Sequence, residues 1–217
     1  MAIGLFGGAF DPVHFGHLRL AVELGEAFGL ERVVFLPTGE PWHRGRGAIA
    51  GAAQRIEMLK LATAGEPRFT VDDRETRRSG PTYTIDTLAE IRREAGPETP
   101  LAWLCGSDAF EKIDTWHRWT ELFGLAHFAV AVRAEDTQWA GKGPGAFPRE
   151  TWPRFTMSAR DLRAAPAGKI ATFAMTALPI SSSAIRGMLA SGANARYLLP
   201  DGVLDYIQAN HTYPGAA

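Results

Sequence analysis

The chain has 217 residues, of which 46% are hydrophobic and 22% are charged, and its formal net charge is -1. This composition supports a sizeable core, and the near-zero charge argues against a protein that coats nucleic acid or an anionic membrane, because those partners demand a basic excess. The single cysteine, Cys105, excludes an internal disulfide framework and is typical of a reducing compartment.

In the first half of the chain, predicted strands alternate with predicted helices. The apolar run 2–7 predicts a buried strand that ends at the pair Gly7 and Gly8, and helical spacing over about 16–28 predicts a helix after it. Strands are predicted over 31–37 and 68–73, and helices over 52–64 and 82–96. The last of these helices is expected to have a threonine N-cap and a stop at Gly96.

The second half continues the alternation after one irregular segment. Strands are predicted over 100–108, 126–133 and 169–175, and helices over 181–192 and 200–210. Poor periodicity, several prolines and the "GKGPG" stretch identify 134–168 as an irregular insertion within one domain that spans 1–217.

This alternation predicts an α/β fold in which a parallel sheet is flanked by helices and is followed by C-terminal helices. In such folds the ligand lies beyond the carboxyl ends of the strands. Four segments follow predicted strand ends, so we expect them to meet at one edge of the sheet: 7–17, 37–44, 106–108 and 181–186.

The stretch "GGAFDPVHFGH" carries two histidines, His14 and His17, at the entry to the first helix. We expect Gly7 and Gly8 to form a sharp turn, after which the unpaired N–H groups of the helix start can bind phosphate. A spacing of three places both imidazoles on one side of the helix, where they can donate hydrogen bonds to phosphate. Taken alone, the pair also permits a metal site or a capping role.

The same stretch looks like the (T/H)xGH signature of the nucleotidyltransferase superfamily, and "ISSSAIR" at 180–186 is similar to its ISSTxIR signature. Between them "PTGEPWHR", "QRIEML", "DDRET", "GPTYTIDTL", "CGSDAF" and "TWHRW" resemble the bacterial nicotinate-nucleotide adenylyltransferase family, as does the final "LLPDGVLDYI". The similarity runs through nearly the whole chain and is weakest over 133–168.

The resemblance implies a Rossmann-like nucleotidyltransferase fold and a cytoplasmic enzyme of NAD biosynthesis. Its substrates would be ATP and nicotinate mononucleotide, which react to deamido-NAD and pyrophosphate without a covalent enzyme intermediate. Mg²⁺ is implied as cofactor; the sequence shows no carboxylate cluster for it, so the metal is expected to arrive with ATP. We expect no signal peptide, membrane span or nucleic-acid partner, and an oligomer is compatible with the sequence.

The resemblance also assigns roles to residues at the ATP side. His14, His17 and Arg186 would be catalytic, with His17 the main group that stabilises the transition state and Arg186 the group that binds the departing pyrophosphate. The complete set of expected ATP-binding residues is Gly7, Gly8, Ala9, Phe10, His14, His17, Gly106, Asp108, Ser183 and Arg186. For Asp108 a helix N-cap role stays open beside ribose binding.

The acceptor substrate would be bound by His43, Arg44, Thr84, Trp116 and His117. Trp116 matches the family position that stacks on the pyridine ring, although core packing is its alternative. Trp119 is expected to be a core residue. Two positions depart from the family pattern, because Trp42 replaces a proline and His117 replaces an aromatic residue.

Two other functions remain open at this point. One is a related adenylyl- or cytidylyltransferase with a different phosphate acceptor, against which "GPTYTIDTL" and "TWHRW" weigh. The other is a non-catalytic nucleotide sensor, against which the intact His14, His17, Ser183 and Arg186 weigh. The sequence does not decide between nicotinate and nicotinamide mononucleotide.

Overall fold

The computed structural model describes residues 2–41, 49–133, 147–156, 158–176 and 178–214. They form two compact units. Unit 1 contains Met1–Gly7, Leu20–Val34 and Tyr83–Ala177, and unit 2 contains Gly8–Arg19, Phe35–Thr82 and Leu178–Ala217. Whether 1–217 acts as one nucleotidyltransferase domain stays a prediction.

The elements follow the predicted order, with short additions. The first half contains β1 (Ala2–Gly8), α1 (Phe15–Phe28), β2 (Leu30–Pro37), β3 (Glu40–Pro41), α2 (Ala52–Thr63), β4 (Phe69–Val71), β5 (Pro81–Thr82) and α3 (Thr84–Ala95). The second half contains β6 (Leu101–Gly106), α4 (Ser107–Phe110), α5 (Trp119–Leu122), β7 (His127–Arg133), α6 (Asp161–Ala164), β8 (Ile170–Met175), α7 (Ser182–Ala190) and α8 (Asp201–Ala209). Short 3₁₀ helices lie at Arg74–Arg77, Ile113–Thr115 and Arg149–Arg154.

Six strands form the main sheet in the order β4-β2-β1-β6-β7-β8, and β3 and β5 form a separate parallel pair. The pairs β1–β6, β6–β7 and β7–β8 are parallel, with Phe6 beside Leu104 and Cys105 beside Val130. The chain order puts helices between these strands, as parallel connections require. The predicted parallel sheet flanked by helices is confirmed.

Within unit 1, the predicted stripe of α3 is buried: Ile85, Leu88 and Ile91 are all at most 7% exposed. Gly96 ends the helix with a φ of 87°, as expected. The start of the helix differs from the prediction. Its N-cap is Tyr83, which makes no side-chain cap hydrogen bond, so the expected threonine N-cap is wrong.

The described part of the predicted insertion includes buried residues. Phe147 packs edge-on against Phe110 with 4.8 Å between the ring centroids, and Leu162 of α6 is 1% exposed. Residues 134–146 and 157 lie outside the described residues, and the interpretation of 134–168 as an insertion stays a prediction.

Within unit 2, α2 packs against α8. Met58 and Leu59 of α2 and Val203 and Leu204 of α8 are each at most 1% exposed. After α8 the chain continues to Tyr213, which is 6% exposed. Among the described residues, no helix combines the length and the apolar character that crossing a membrane requires.

The structure corrects the predicted role of Gly7 and Gly8. Both continue β1 as strand residues, and neither has a positive φ. The turn comes later, where Phe10 has a φ of 48°. Gly7 is instead required by packing, because a Cβ there would lie 2.5 Å from Cζ2 of Trp103.

Candidate active site

The two histidines of the opening motif lie against each other at the start of α1, in unit 2. His14 immediately precedes the helix and His17 is in its first turn. Their rings stack with 3.7 Å between centroids, and the backbone N–H of His14 donates to Nδ1 of His17 at 3.3 Å. Because that nitrogen accepts, the proton of a neutral His17 resides on Nε2.

Burial favours the neutral form of both imidazoles. Burial lowers the pKa of His14 from 6.5 to about 4. The pKa of His17 also lies well below 6.5, first because of burial and then because of repulsion by a charged His14. Nδ1 of His14 is buried and has no hydrogen-bond partner among the described residues. Buried polar atoms rarely stay unpaired, so this nitrogen indicates a polar ligand.

The end of β2 lies beside the end of β1. The backbone N–H of Thr38 donates to the carbonyl of Gly8 at 2.9 Å. Like Nδ1 of His14, the hydroxyl of Thr38 is buried without a partner in the described part of the chain. Unit 2 therefore contains two buried polar atoms that a bound substrate could satisfy.

The second motif, at the start of α7, contacts the first motif directly. Ser181 caps the helix by accepting from the N–H of Ala184 at 3.2 Å. The hydroxyl of Ser182 donates to the carbonyl of Pro12 at 2.9 Å, and Nη1 of Arg186 donates to the carbonyl of Asp11 at 2.6 Å. Residues of 7–17 and 181–186 thus meet, although 170 and 175 positions separate the bonded pairs. With the bond from Thr38 to Gly8, three of the four segments expected at one edge are in contact.

Ser183 and Arg186 form one polar group on α7. Nη2 of Arg186 donates to the exposed hydroxyl of Ser183 at 3.2 Å. Because that hydroxyl accepts from Arg186, its own proton is available for a phosphate oxygen. The N–H of Ala184 is already occupied by Ser181, so only the earlier N–H groups of the helix remain for an anion.

Ala9 and Phe10 contribute to the shape of the loop that carries the histidines. The Phe10 ring is 1% exposed and lies edge-on to His17, with 5.1 Å between centroids. Burial of this ring holds a left-handed backbone conformation that costs energy in a non-glycine residue. The carbonyl of Ala9 accepts from Nη1 of Arg55 at 2.9 Å.

Three buried polar residues of this region were not predicted from the sequence: Asp11, Arg55 and Tyr213. The carboxylate of Asp11 accepts from the N–H groups of Ile49 and Ala50 at 2.8 and 3.1 Å and from the hydroxyl of Tyr213 at 2.7 Å. Asp11 and Arg55 lie inside the quoted motifs, and Arg55 occupies the apolar face of α2 one turn before Leu59. That position was an available signal, whereas nothing local marks Tyr213.

Gly106 and Asp108 belong to unit 1, at the end of β6. Asp108 is exposed and is the second residue of the four-residue helix α4, whose N-cap is Gly106. The alternative of Asp108 as N-cap is therefore wrong. A Cβ at position 106 would lie 2.5 Å from Oδ1 of Asp108, so the glycine makes room for this carboxylate. Cys105 is buried, as expected, and burial raises the pKa of its thiol.

Thr84, Trp116 and His117 also belong to unit 1. Thr84 is the first residue of α3, and Trp116 is partly exposed, edge-on to Trp103 with 6.4 Å between centroids. His117 is exposed, and its ring lies 4.4 Å from that of Tyr83. Trp119 is partly exposed as well, so the expectation that it is a pure core residue is wrong.

The remaining expected substrate residues, His43 and Arg44, and the departure at Trp42 lie outside the described residues. No group of three or more His, Cys, Asp or Glu side chains in the described ranges is placed to hold a metal ion.

Comparison with known proteins places the chain in a family. The model of the cytidylyltransferase-like family matches residues 5–188. A protein of Dechloromonas aromatica described as a probable nicotinate-nucleotide adenylyltransferase is 49% identical over 97% of both chains. A protein of Laribacter hongkongensis with the same description is 50% identical over 98% of this chain and 94% of its own.

A solved structure supports the fold. The nicotinic acid mononucleotide adenylyltransferase of Plasmodium falciparum, complexed with NaAD, has a TM-score of 0.70 at 17% identity and covers 98% of this chain and 97% of its own. At that identity the similarity shows the Rossmann-like fold alone. The two bacterial relatives show the family. The chain belongs to the cytidylyltransferase-like nucleotidyltransferases and, among them, to the nicotinate-nucleotide adenylyltransferase family.

Proposed function

We propose that this chain transfers the adenylyl group of ATP to nicotinate mononucleotide and releases pyrophosphate, forming deamido-NAD. Near-full-length relatives at 49% and 50% identity carry this activity in their descriptions. The observation on which the proposal chiefly rests is the direct contact between the two motifs in unit 2, where Arg186 donates to the carbonyl of Asp11.

In the proposed reaction, a phosphate oxygen of the mononucleotide attacks the α-phosphorus of ATP. One oxygen–phosphorus bond forms, the bond between the α-phosphorus and its bridging oxygen breaks, and the electron pair leaves with pyrophosphate. The step needs no covalent enzyme intermediate, so the protein contributes alignment and stabilisation of charge.

The ATP phosphates would bind between the two motifs. Nε2 of His17 and the unpaired Nδ1 of His14 are the donors for oxygens that gain charge in the transition state. Arg186 and Ser183 would bind the β- and γ-phosphates, together with the first N–H groups of α7. Arg186 then holds the pyrophosphate as it departs.

Other members of the expected ATP set would bind through the backbone or at the ribose. Gly8, Ala9 and Phe10 would offer backbone groups at the end of β1, and Gly7 would contribute through close packing. Gly106 and Asp108 would bind ribose hydroxyls, for which the exposed Asp108 carboxylate is a suitable acceptor.

The pyridine ring would stack on Trp116, whose indole is only partly buried, and Thr84 would line the same pocket. The backbone N–H groups after Trp116 would bind the nicotinate carboxylate. His117 directly follows Trp116 and would also bind the acceptor. His43 and Arg44 would bind the phosphate of the acceptor. Mg²⁺ would enter with ATP, and we propose a cytoplasmic location.

The direct test is turnover with matched acceptors. Purified protein is incubated with Mg²⁺ and ATP together with nicotinate mononucleotide, nicotinamide mononucleotide, phosphopantetheine or no acceptor, and pyrophosphate is measured. We expect release with nicotinate mononucleotide and none without an acceptor, and competition between the two pyridine nucleotides measures the preference between them.

The same assay separates the alternatives. Pyrophosphate release that depends on phosphopantetheine, or on CTP in place of ATP, would identify a related transferase with another specificity. ATP binding in a calorimeter without turnover on any acceptor would identify a nucleotide sensor.

A further inference from the structure

The buried side chain of Asp11 accepts three hydrogen bonds. It is 4% exposed, and its two oxygens accept from the N–H groups of Ile49 and Ala50 and from the hydroxyl of Tyr213. Tyr213 is 202 residues away in sequence and supplies the only one of these three donors that is a side chain. The N-terminal motif is thereby tied to the C-terminal segment.

Asp11 also contacts the guanidinium of Arg186. Nη1 of Arg186 donates to the carbonyl of Asp11 at 2.6 Å and lies 3.8 Å from its carboxylate Oδ2. Nη2 reaches Ser183 at 3.2 Å. Both ends of the guanidinium are thus fixed within the protein, one of them through Asp11.

Removal of the Tyr213 hydroxyl would leave one carboxylate oxygen of Asp11 with a missing donor inside a buried site. The hydroxyl is a dependable donor, because burial and the hydrogen bond to Asp11 raise its pKa above 10. Arg55 lies close by and donates to the carbonyls of Ala50 and Ala9 at 3.3 and 2.9 Å.

We propose that Tyr213 is a positioning residue for ATP: its hydroxyl fixes the Asp11 carboxylate, and Asp11 in turn fixes Arg186 in the orientation that receives the β- and γ-phosphates. This inference rests on the proposed function of Arg186. It assigns a role in ATP binding to a residue that lies beyond "LLPDGVLDYI", the last stretch of the chain that resembles the family.

The test is a double-mutant cycle of Tyr213→Phe and Arg186→Lys, with Mg²⁺-ATP as the probe. Dissociation constants for ATP are measured by calorimetry, and kcat and both KM values by pyrophosphate release. We expect Tyr213→Phe to raise the dissociation constant and the KM for ATP by about tenfold, the scale of one hydrogen bond to a charged group. The KM for nicotinate mononucleotide should change less than twofold.

The coupling distinguishes positioning from a general loss of stability. In the Arg186→Lys background, Tyr213→Phe should change the affinity for ATP less than twofold, because the group that it positions is already altered. Tyr206→Phe is the matched control: this tyrosine is partly buried in α8, its hydroxyl contacts no other described residue by hydrogen bond, and its kinetics should equal those of the wild type.

The inference is overturned if Tyr213→Phe binds ATP as tightly as the wild type. It is also overturned if the fold-change in the dissociation constant caused by Tyr213→Phe is the same with and without Arg186→Lys. If Tyr213→Phe does not fold, Asp11→Asn replaces it in the cycle, with the same expected coupling to Arg186→Lys. If the wild-type protein shows no turnover with nicotinate mononucleotide, the proposed function is refuted instead. The double-mutant cycle measures ATP binding, so it still decides whether Tyr213 positions Arg186.

Discussion

At the scale of single residues, the histidine pair of the opening motif is the main feature, because burial favours the neutral form of both rings. Burial holds the pKa of His14 at about 4 and that of His17 well below 6.5. A triphosphate that accepts hydrogen bonds from these rings would favour their charged forms and raise both values. The sequence identified the pair, but its spacing alone could not reveal the protonation state, which depends on burial.

We therefore predict that ATP binding takes up protons at pH 6. Burial lowers the pKa of both rings and favours their neutral form, and bound phosphates would raise the pKa of at least one ring. Calorimetric titrations in buffers of different ionisation enthalpy would measure the uptake, and the affinity for ATP should increase as the pH falls from 8 to 6.

Two substitutions sharpen this measurement. His14→Asn should reduce the uptake, whereas His211→Gln should leave it unchanged because His211 is an exposed residue of the C-terminal segment. Binding heats that are independent of the buffer at pH 6 would show that the histidines stay neutral in the complex.

At the scale of elements, hydrophobic spacing predicted the strands and helices well, and contacts between elements accounted for the exceptions. The stripe of α3 follows from a period of 3.6 residues. The strand conformation of Gly7 and Gly8 does not follow from the sequence pattern, because glycine by itself indicates a turn. What keeps glycine at position 7 is Trp103 of the neighbouring strand β6, which is 4% exposed.

We predict that Gly7→Ala destabilises the protein by about 1 to 3 kcal/mol, the usual cost of overpacking a buried position. The added Cβ would meet two ring atoms of Trp103 at 2.5 and 2.6 Å. Urea unfolding followed by circular dichroism measures the change in the free energy of unfolding.

Gly202→Ala in α8 is the matched control, because a Cβ there meets nothing within 4 Å. It should leave stability equal to that of the wild type or raise it by up to about 1 kcal/mol, since alanine favours a helix over glycine. Equal stability of Gly7→Ala and the wild type would contradict the packing role of Gly7.

At the scale of the whole molecule, buried histidines couple folding to pH. His127 in β7 is fully buried; its Nδ1 accepts from the N–H of Lys169 at 3.0 Å, and Nε2 donates to the carbonyl of Ala165 at 2.7 Å. Its pKa is lowered, mainly by burial. Together with His14 and His17, three histidines therefore favour the neutral form in the folded state.

We predict that the free energy of unfolding falls as the pH decreases from 6.5 to 5. The unfolded chain has ordinary histidine pKa values near 6.5 and binds protons that the folded chain does not, so stability is complete above about 6.5 and is lost below it. Each histidine contributes up to about 1.4 kcal/mol per pH unit. Urea unfolding at several pH values would measure the slope.

His127→Gln should reduce this slope, and His211→Gln should not, because only His127 is buried. A stability that is constant between pH 6.5 and 5 would contradict the prediction. Carboxylates remain largely ionised in this window, so they do not obscure the effect.

The sequence by itself determined the α/β alternation, the family and the two motifs, because hydrophobic period and short motif spacing are local properties of a chain. The tertiary structure decided the partners: that Arg186 donates to Asp11, that Tyr213 completes the same group, and that Trp103 requires glycine at position 7. Such contacts join residues up to 202 positions apart, and they form only when the packing of strands and helices brings distant backbone segments to one place.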